Sequence, residues 1–244
     1  LTTILPSYNK TDDLIINSGQ IKNSKDTWEG RNHQFEPRLL CKHDTSSKQP
    51  KIFHDNSLAL ISIKNGEYLL TKEKIFIKLP ENNKDVKEID ITNISLLLTF
   101  GNSETSMLDK LLYSGVIGDI IGEKILLGPV QGGRHRCTFK TSLGCKEITI
   151  KGSQYETDGC YETDNYYVVV EVKNIDVDDF NIRQLYYPSR TIHDFTNGKK
   201  QILSIFICKD KNNIIKIYKY KWNDINIIND IHCIDYYRFK FNNL

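Results

Sequence analysis

The sequence predicts an α/β fold in which a mixed central β-sheet is flanked by helices. Three observations predict it: apolar residues recur every three to four positions over 103–121, strand-like runs rich in Val, Ile and Tyr follow, and a second helical pattern over 176–194 interrupts those runs. The order helix, strands, helix, strands is typical of a mixed α/β sheet. A chain of 244 residues is long enough for one large domain or two small ones.

The first hundred residues are polar and rich in turns. Two short apolar runs at 58–63 and 75–79 predict strands, and Asn65-Gly66 between them is typical of a hairpin turn. The polar stretch at 80–90 predicts an exposed loop. We therefore expect an N-terminal region at 1–95 and a second domain at 96–244.

The second part begins with the clearest helical pattern, at 102–124, where Asn102 or Ser103 can cap the first turn and Gly122 suits the end. Strands are expected next in "ILLGPV", "RCTF", "KEITIKG" and "NYYVVVEVKN". A capped helix is predicted over 176–194, and Pro188 should disrupt it late or end it. The last predicted strands lie at 201–209, 214–222 and 231–241, the first two forming a hairpin around Asn212-Asn213.

Composition sets few limits on function. The formal net charge of +2 does not indicate a nucleic-acid ligand by itself, although a cleft can be locally basic in a nearly neutral protein. The six cysteines contain no C-x-x-C pair, which argues against a zinc site and favours a reducing, cytoplasmic compartment. No segment approaches the roughly 18 to 20 apolar residues of a membrane span.

Charged residues stand out in the apolar run "NYYVVVEVKN". Glu171 and Lys173 lie two positions apart, so they share one face of the predicted strand, and charges there are costly unless partnered. Asp158 lies thirteen residues before Glu171, which suits two adjacent strands joined by a turn at 162–165. Two carboxylates at one strand edge form an oxygen site of the kind Mg²⁺ prefers. The alternative is an exposed strand with an ion pair on one face.

The region 156–190 resembles the PD-(D/E)xK nuclease superfamily, and within it a group of type II restriction endonucleases with an acid-x-D-G, E-x-K-N and D-F-N-x-R-Q-L-Y-Y-P-x-R signature. Thr157 stands where the superfamily name places proline. The matching residues are Glu156, Asp158, Gly159, Glu171, Lys173, Asn174, Asp179, Phe180, Asn181, Arg183, Gln184, Tyr186, Tyr187, Pro188 and Arg190.

The resemblance implies a restriction-endonuclease-like core and a set of roles. Asp158, Glu171 and Val172 would bind Mg²⁺, and Lys173 would hold or deprotonate the attacking water. Glu104 would add a further acid from the preceding helix, where the alternative is an acid favoured by the helix dipole. Gln184 would contact the attacking water or a phosphate, or else make a structural contact with the sheet. Tyr186 and Tyr187 are expected to be packing residues.

Two basic segments are candidate DNA contacts. Arg134, His135 and Arg136 follow Gly132-Gly133, and the planar guanidinium of Arg can read guanine edges or hold phosphates. Arg38 and Lys42, with His43 and Lys48, form the second segment, which is expected to position the phosphate backbone. Arg183, at the start of the second helix, is a further candidate.

The sequence therefore favours a Mg²⁺-dependent type II restriction endonuclease acting on double-stranded DNA. A homodimer is expected, because two copies of one site are needed to cut both strands and a palindromic target matches two-fold symmetry. The alternatives are a structure-specific repair or junction nuclease and a non-catalytic DNA-binding protein. The N-terminal region is either a separate, winged-helix-like reader of DNA or an extension of the core.

Overall fold

The computed structural model describes residues 14–23, 36–81, 83–130 and 133–242, and it has the predicted mixed α/β character. The helices are α1 (Ser18–Asn23), α2 (Pro37–Cys41), α3 (Lys51–Asp55), α4 (Glu104–Tyr113), α5 (Val116–Ile121) and α6 (Arg183–Phe195), with 3-10 helices at Ser46–Lys48 and Leu96–Thr99. The strands are β1 (Leu14–Asn17), β2 (Ala59–Lys64), β3 (Glu67–Thr71), β4 (Phe76–Lys78), β5 (Val86–Asp90), β6 (His135–Leu143), β7 (Lys146–Tyr155), β8 (Gly159–Glu162), β9 (Tyr166–Lys173), β10 (Asp179–Asn181), β11 (Gln201–Lys209), β12 (Ile215–Trp222) and β13 (Ile231–Asn242). None of the helices in these ranges is long and apolar enough to cross a membrane.

A six-stranded mixed sheet forms the centre, in the order β5-β13-β12-β11-β9-β8. Strands β9 and β11 are parallel and are joined through α6, as a parallel pair requires a crossover connection. β8 joins β9 antiparallel, and the predicted hairpin of β11 and β12 is also present. The parallel pair therefore places the end of β9 beside the helix that follows it.

Helix α6 lies between two sheets. One of its faces packs Leu185 and Ile192 against Val169 of β9 and residues of β11 and β12. Its other face packs Tyr186 and Tyr187 against a second sheet, ordered β1-β3-β2-β7-β6. Helices α4 and α5 cover the opposite face of the central sheet, as the core cluster that contains Leu111, Ile117 and Val170 shows. The order of layers is thus α4 and α5, central sheet, α6, second sheet.

Strands from both parts of the chain meet in these sheets. β2 reaches β7 in the second sheet, β4 pairs with β10, and β5 pairs with β13 at the edge of the central sheet. Residues before and after the expected boundary at 95 and 96 therefore share sheets, and the boundary itself stays a prediction.

The long predicted helix at 102–124 is two helices. Ser103 caps α4 as expected, since its Oγ accepts a hydrogen bond from the Ser106 amide at 3.0 Å. The chain then turns at Gly115, whose φ of +80° is a left-handed conformation that glycine adopts without strain. Gly122 ends α5 with a φ of +83°, which confirms its predicted position.

The helix expected over 176–194 begins later, at Arg183, because residues 179–181 form β10 and pair with β4. It then continues through Pro188 to Phe195, so the expectation that Pro188 disrupts or ends it was wrong. A proline in a helix removes one backbone hydrogen bond and crowds the preceding turn. Here the cost is outweighed by burial, because seven residues of α6 are buried between the two sheets.

Two strand predictions also needed correction. The segment 125–130 forms only an isolated bridge between Leu127 and Glu162, and Pro129 there has no amide to donate to a ladder. The hairpin around Asn65-Gly66 pairs β2 with β3, at 67–71, rather than with the apolar run at 75–79. Pairing across the shortest turn leaves β4 to pair with β10 instead.

Candidate active site

The candidate site lies at the end of β9, beside the start of β8. Gly159 pairs with Val170, so Asp158 directly precedes the paired strand. The Asp158 Oδ2 accepts a hydrogen bond from the Val172 amide at 2.7 Å. Thr157 is buried, and its hydroxyl donates to the carbonyls of Gly159 and Val170. Asp158 therefore lies beside the end of β9 that carries Glu171, as predicted, and hydrogen bonds to the backbone of β9 hold it there.

Glu171 and Lys173 share the face of β9 that packs toward α6. The Lys173 Nζ lies 2.6 Å from the Glu171 Oε1, and the Gln184 Nε2 donates to the same oxygen at 2.5 Å. Val170 and Val172 point to the opposite face and lie in the core with α4 and α5. Only the main chain of Val172 is thus close to the site, because its side chain is fully buried on the other face.

Burial governs the charges of the two acids. Burial raises the pKa of Glu171 to about 7, against the opposing charge of Lys173 and with a further rise from Asp158. The pKa of Asp158 is also raised by burial, opposed by the Val172 amide and Lys173. Negative charge in this site is therefore costly in the absence of a cation.

Lys173 remains an ammonium in this environment. Burial alone would lower the pKa of its amine, but the adjacent Glu171 carboxylate outweighs that effect and raises the pKa above its ordinary value. The side chain is only 15% exposed. Lys173 can therefore donate hydrogen bonds and positive charge to a ligand in the site.

Glu104 reaches the site from the first turn of α4. Its Oε1 accepts a hydrogen bond at 3.3 Å from the main-chain amide of Asn174, the residue that follows Lys173 in the chain. The position satisfies the preference of the helix dipole and also brings a third carboxylate to the end of β9.

A cleft of about 490 Å³ contains the five predicted catalytic side chains. Glu104, Asp158, Glu171, Lys173 and Gln184 all line it. Five residues of the predicted DNA-contact segments line it as well, namely Lys42, His43, Lys48, Arg134 and Arg183. The structure therefore brings together residues from α2 through α6 that lie far apart in the sequence.

Two of the predicted DNA contacts do not line the cleft. His135 and Arg136 are the first residues of β6, outside the lining of the cleft, and the His135 ring lies 5.6 Å from that of Tyr155. Arg134 is exposed and its Nε donates to the Glu156 Oε1 at 2.7 Å. The side chain of Arg38 lies outside the described part of the chain.

Sequence reasoning missed Asp44, which lines the cleft from the segment after α2. Its Oδ1 is buried and has no hydrogen-bond partner among the described residues, and Lys48 Nζ lies 3.9 Å from its Oδ2. The only signal in the sequence was its place in the basic segment "CKHD". Nothing in that pattern indicates that the segment folds against β9.

The signature residues before α6 hold this segment in place. The Asn181 amide donates to the Asp44 carbonyl at 2.8 Å, and its Nδ2 donates to the His43 carbonyl at 3.0 Å. The Asp179 Oδ1 accepts from the Ser46 amide at 2.7 Å. These two signature residues are therefore anchors for the N-terminal segment.

Other signature residues form the packing around α6. Phe180 stacks on Phe206 with ring centroids 4.4 Å apart. Tyr186 and Tyr187 are fully buried, as predicted for packing residues, and their hydroxyls donate to the carbonyls of Ile225 and Ser62. These three signature residues are therefore packing residues that bury α6 and the strand before it.

The donor atoms of the site suit a hard divalent cation. Carboxylate oxygens of Asp158 and Glu171 are the ligands that Mg²⁺ prefers. In the same cleft, the buried Oδ1 of Asp44 and Oε1 of Gln184 have no hydrogen-bond partner within the part of the chain that the structure describes. Within the described residues, no group of three or more His, Cys, Asp or Glu side chains is arranged to hold a metal ion. A divalent cation in this site would therefore be bound by two carboxylates together with main-chain or water oxygens.

The comparisons with known proteins give family membership without a function. No curated protein and no solved structure matches the chain. Residues 2–70 match the model of a domain of unknown function, DUF6996. Residues 71–240, more than half of the chain, match the model of a second domain of unknown function, and the chain therefore belongs to the DUF6997 family.

Proposed function

We propose that this protein is a Mg²⁺-dependent endonuclease of the PD-(D/E)xK type that cuts specific sites in double-stranded DNA, as type II restriction endonucleases do. The observation that carries the proposal is the meeting of Asp158, Glu171 and Lys173 in one cleft at the end of β9. An exposed strand with a surface ion pair would not bury these groups, yet Glu171 is 6% exposed.

The proposed metal site uses the carboxylates of Asp158 and Glu171, with the main chain of Val172 as a third source of oxygen. When bound, Mg²⁺ would offset the charge of the scissile phosphate and lower the pKa of a bound water. The hydrogen bond from the Val172 amide fixes the Asp158 carboxylate, and Gln184 fixes that of Glu171.

Lys173 and Gln184 have positioning roles in this proposal. The ammonium of Lys173 is placed to orient a water or a phosphate oxygen and to stabilise negative charge that develops there. Because its pKa is raised, Lys173 acts as a donor and not as a base in the protein without DNA.

DNA would enter along the basic residues of the cleft. Lys42, Arg134 and Arg183 all line the cleft. Arg183 is held by a contact of its Nη1 with the Gln154 carbonyl at 3.4 Å and lies over the Tyr187 ring. Such fixed guanidinium groups suit phosphate contacts, which position the duplex. Two copies of the chain, each with one site, would cut both strands.

Digestion of a sequenced plasmid tests the proposal. The parent protein is expected to give discrete fragments with Mg²⁺ and none with a chelator. Asp158→Asn and Lys173→Ala should each reduce cleavage by at least about a hundredfold while DNA binding persists. The matched controls are Asp85→Asn and Lys87→Ala, since both residues are exposed and lie outside the cleft.

The same digest distinguishes the alternatives. Cleavage by Lys173→Ala at the parent rate would refute the assignment of the site. Cuts at branched or damaged DNA without sequence preference would indicate a repair or junction nuclease. DNA binding without metal-dependent cleavage would indicate a DNA-binding protein whose E-x-K pattern is incidental.

A further inference from the structure

A second, smaller cavity lies next to the candidate active site. Its volume is about 240 Å³, and Asn174 lines both this cavity and the larger cleft. Its walls come from the start of α4, the end of β11 and the strands beside them. The lining residues include Asn102, Ser103, Lys110, Asn174, Lys209 and Asn213, and none of the described residues that line the cavity is acidic.

Two lysines give this cavity its charge. Lys110 is 3% exposed, and its Nζ donates to the Gly101 carbonyl at 3.0 Å. Burial lowers the pKa of the Lys110 amine, and the neighbouring charge of Lys209 lowers it further. An ammonium has three N–H donors, so one carbonyl leaves capacity for an additional acceptor. A buried cation with a second cation beside it and no carboxylate in the lining is costly without an anion.

The start of α4 adds donors to the same space. Ser103 caps this ten-residue helix and lines the cavity, so the N-terminus of α4 forms part of its wall, while the first-turn acid Glu104 lines the neighbouring cleft. Amide groups of Asn102 and Asn213 provide further N–H donors. This combination of two ammonium groups, amides and a helix N-terminus matches the oxygens of a tetrahedral anion.

We propose that the cavity around Lys110 and Lys209 binds a phosphate group, and that its source is a backbone phosphate of DNA held in the neighbouring cleft. The identity of the source rests on the proposed nuclease function, whereas the anion chemistry does not. Since Asn174 follows Lys173 directly, the cavity lies beside the end of the strand that carries the proposed catalytic groups. A backbone phosphate bound here would fix the position of the DNA strand relative to the end of β9.

Calorimetric titration with inorganic phosphate, without DNA or Mg²⁺ and at constant ionic strength, tests the site itself. Lys209→Gln is expected to weaken phosphate binding roughly 10- to 150-fold, the loss of one hydrogen bond to a charged group. Lys110→Met should weaken phosphate binding to a similar extent. If Lys110→Met does not fold, Lys209→Gln still tests the site, because Lys209 lies at the end of β11 and is less buried than Lys110. Lys211→Gln is the control, since Lys211 is exposed and lies outside the cavity.

The salt dependence of DNA binding identifies the source. If a backbone phosphate occupies the cavity, Lys209→Gln lowers the slope of log K against log salt by roughly 0.9, and Lys211→Gln leaves it unchanged. Phosphate binding that depends on Lys209 with an unchanged slope supports the site and assigns it to free phosphate. Absence of phosphate binding by the parent protein, or equal binding by Lys209→Gln, overturns the proposal. Because this titration needs no cleavage, its result stands apart from that of the plasmid digest.

Discussion

Replacing Glu171 by Gln tests the electrostatics of the site in the metal-free protein. The carboxyl group is buried, and its pKa lies at about 7 instead of the ordinary 4.5. Gln has nearly the same shape as a protonated Glu and cannot ionise. The variant therefore isolates the cost of charging this one group, with Lys173 and Gln184 still in contact.

The sign and size of the effect follow from linkage. Between pH 4.5 and about 7 the folded protein keeps the proton on Glu171, while the unfolded chain releases it. The free energy of unfolding of the parent therefore falls as the pH rises through this window. A pKa difference of about 2.5 units, at 1.36 kcal/mol per unit, gives about 3 kcal/mol. Glu171→Gln does not incur this loss, so its advantage over the parent grows from about zero at pH 4 to about 3 kcal/mol above pH 7.

Urea denaturation of both proteins from pH 4 to 8, with a chelator present, measures the difference. Subtracting the two curves cancels other groups that titrate in the same range. Glu147→Gln, which makes the same substitution at an exposed position of β7, is the control for the change of residue type. A flat difference for Glu171→Gln over the whole range would show that Lys173 keeps Glu171 ionised and that the reasoning about burial is wrong.

Two substitutions test the framework around the site by their effect on the free energy of unfolding. Asn181→Ala should cost about 2–4 kcal/mol, because it removes the contact with the His43 carbonyl and leaves the Arg183 amide without its acceptor; a loss under 1 kcal/mol in urea denaturation would mean that the 43–46 segment is held by other contacts. Gly159→Ala should cost about 1–3 kcal/mol, since its Cβ would lie 2.8 Å from Leu108 Cδ2. A melting temperature equal to that of the parent protein would contradict this expectation.

Local patterns were enough to predict the centre of the site. The alternation of a strand places Glu171 and Lys173 on one face whatever the rest of the fold, and a short hairpin places Asp158 beside them. The cap at Ser103 likewise depends only on its neighbours in the chain. These features could be read from the sequence because each is determined within about a dozen residues.

Features that depend on distant contacts could not be predicted in this way. The position of Asp44 is set by Asn181, more than a hundred residues later, and no pattern in either segment indicates the pairing. The continuation of α6 through Pro188 depends on burial between two sheets, which outweighs the local preference to end the helix. The break at Gly115 shows the reverse case, because an apolar period alone does not reveal that two short helices meet there.

The same distant contacts bear on the role of the N-terminal region. Asp44 and Lys42 belong to the part of the chain that matches one family model, while Glu171, Asn181 and Arg183 belong to the part that matches the other. All five line one cleft, and Asn181 bonds the main chain of residues 43 and 44 directly. Residues 43 and 44 are therefore fixed to β10, directly before α6, and cannot move independently of that part of the chain as a separately tethered reader would. This geometry favours the view that the N-terminal region extends the core and completes the cleft that DNA would enter.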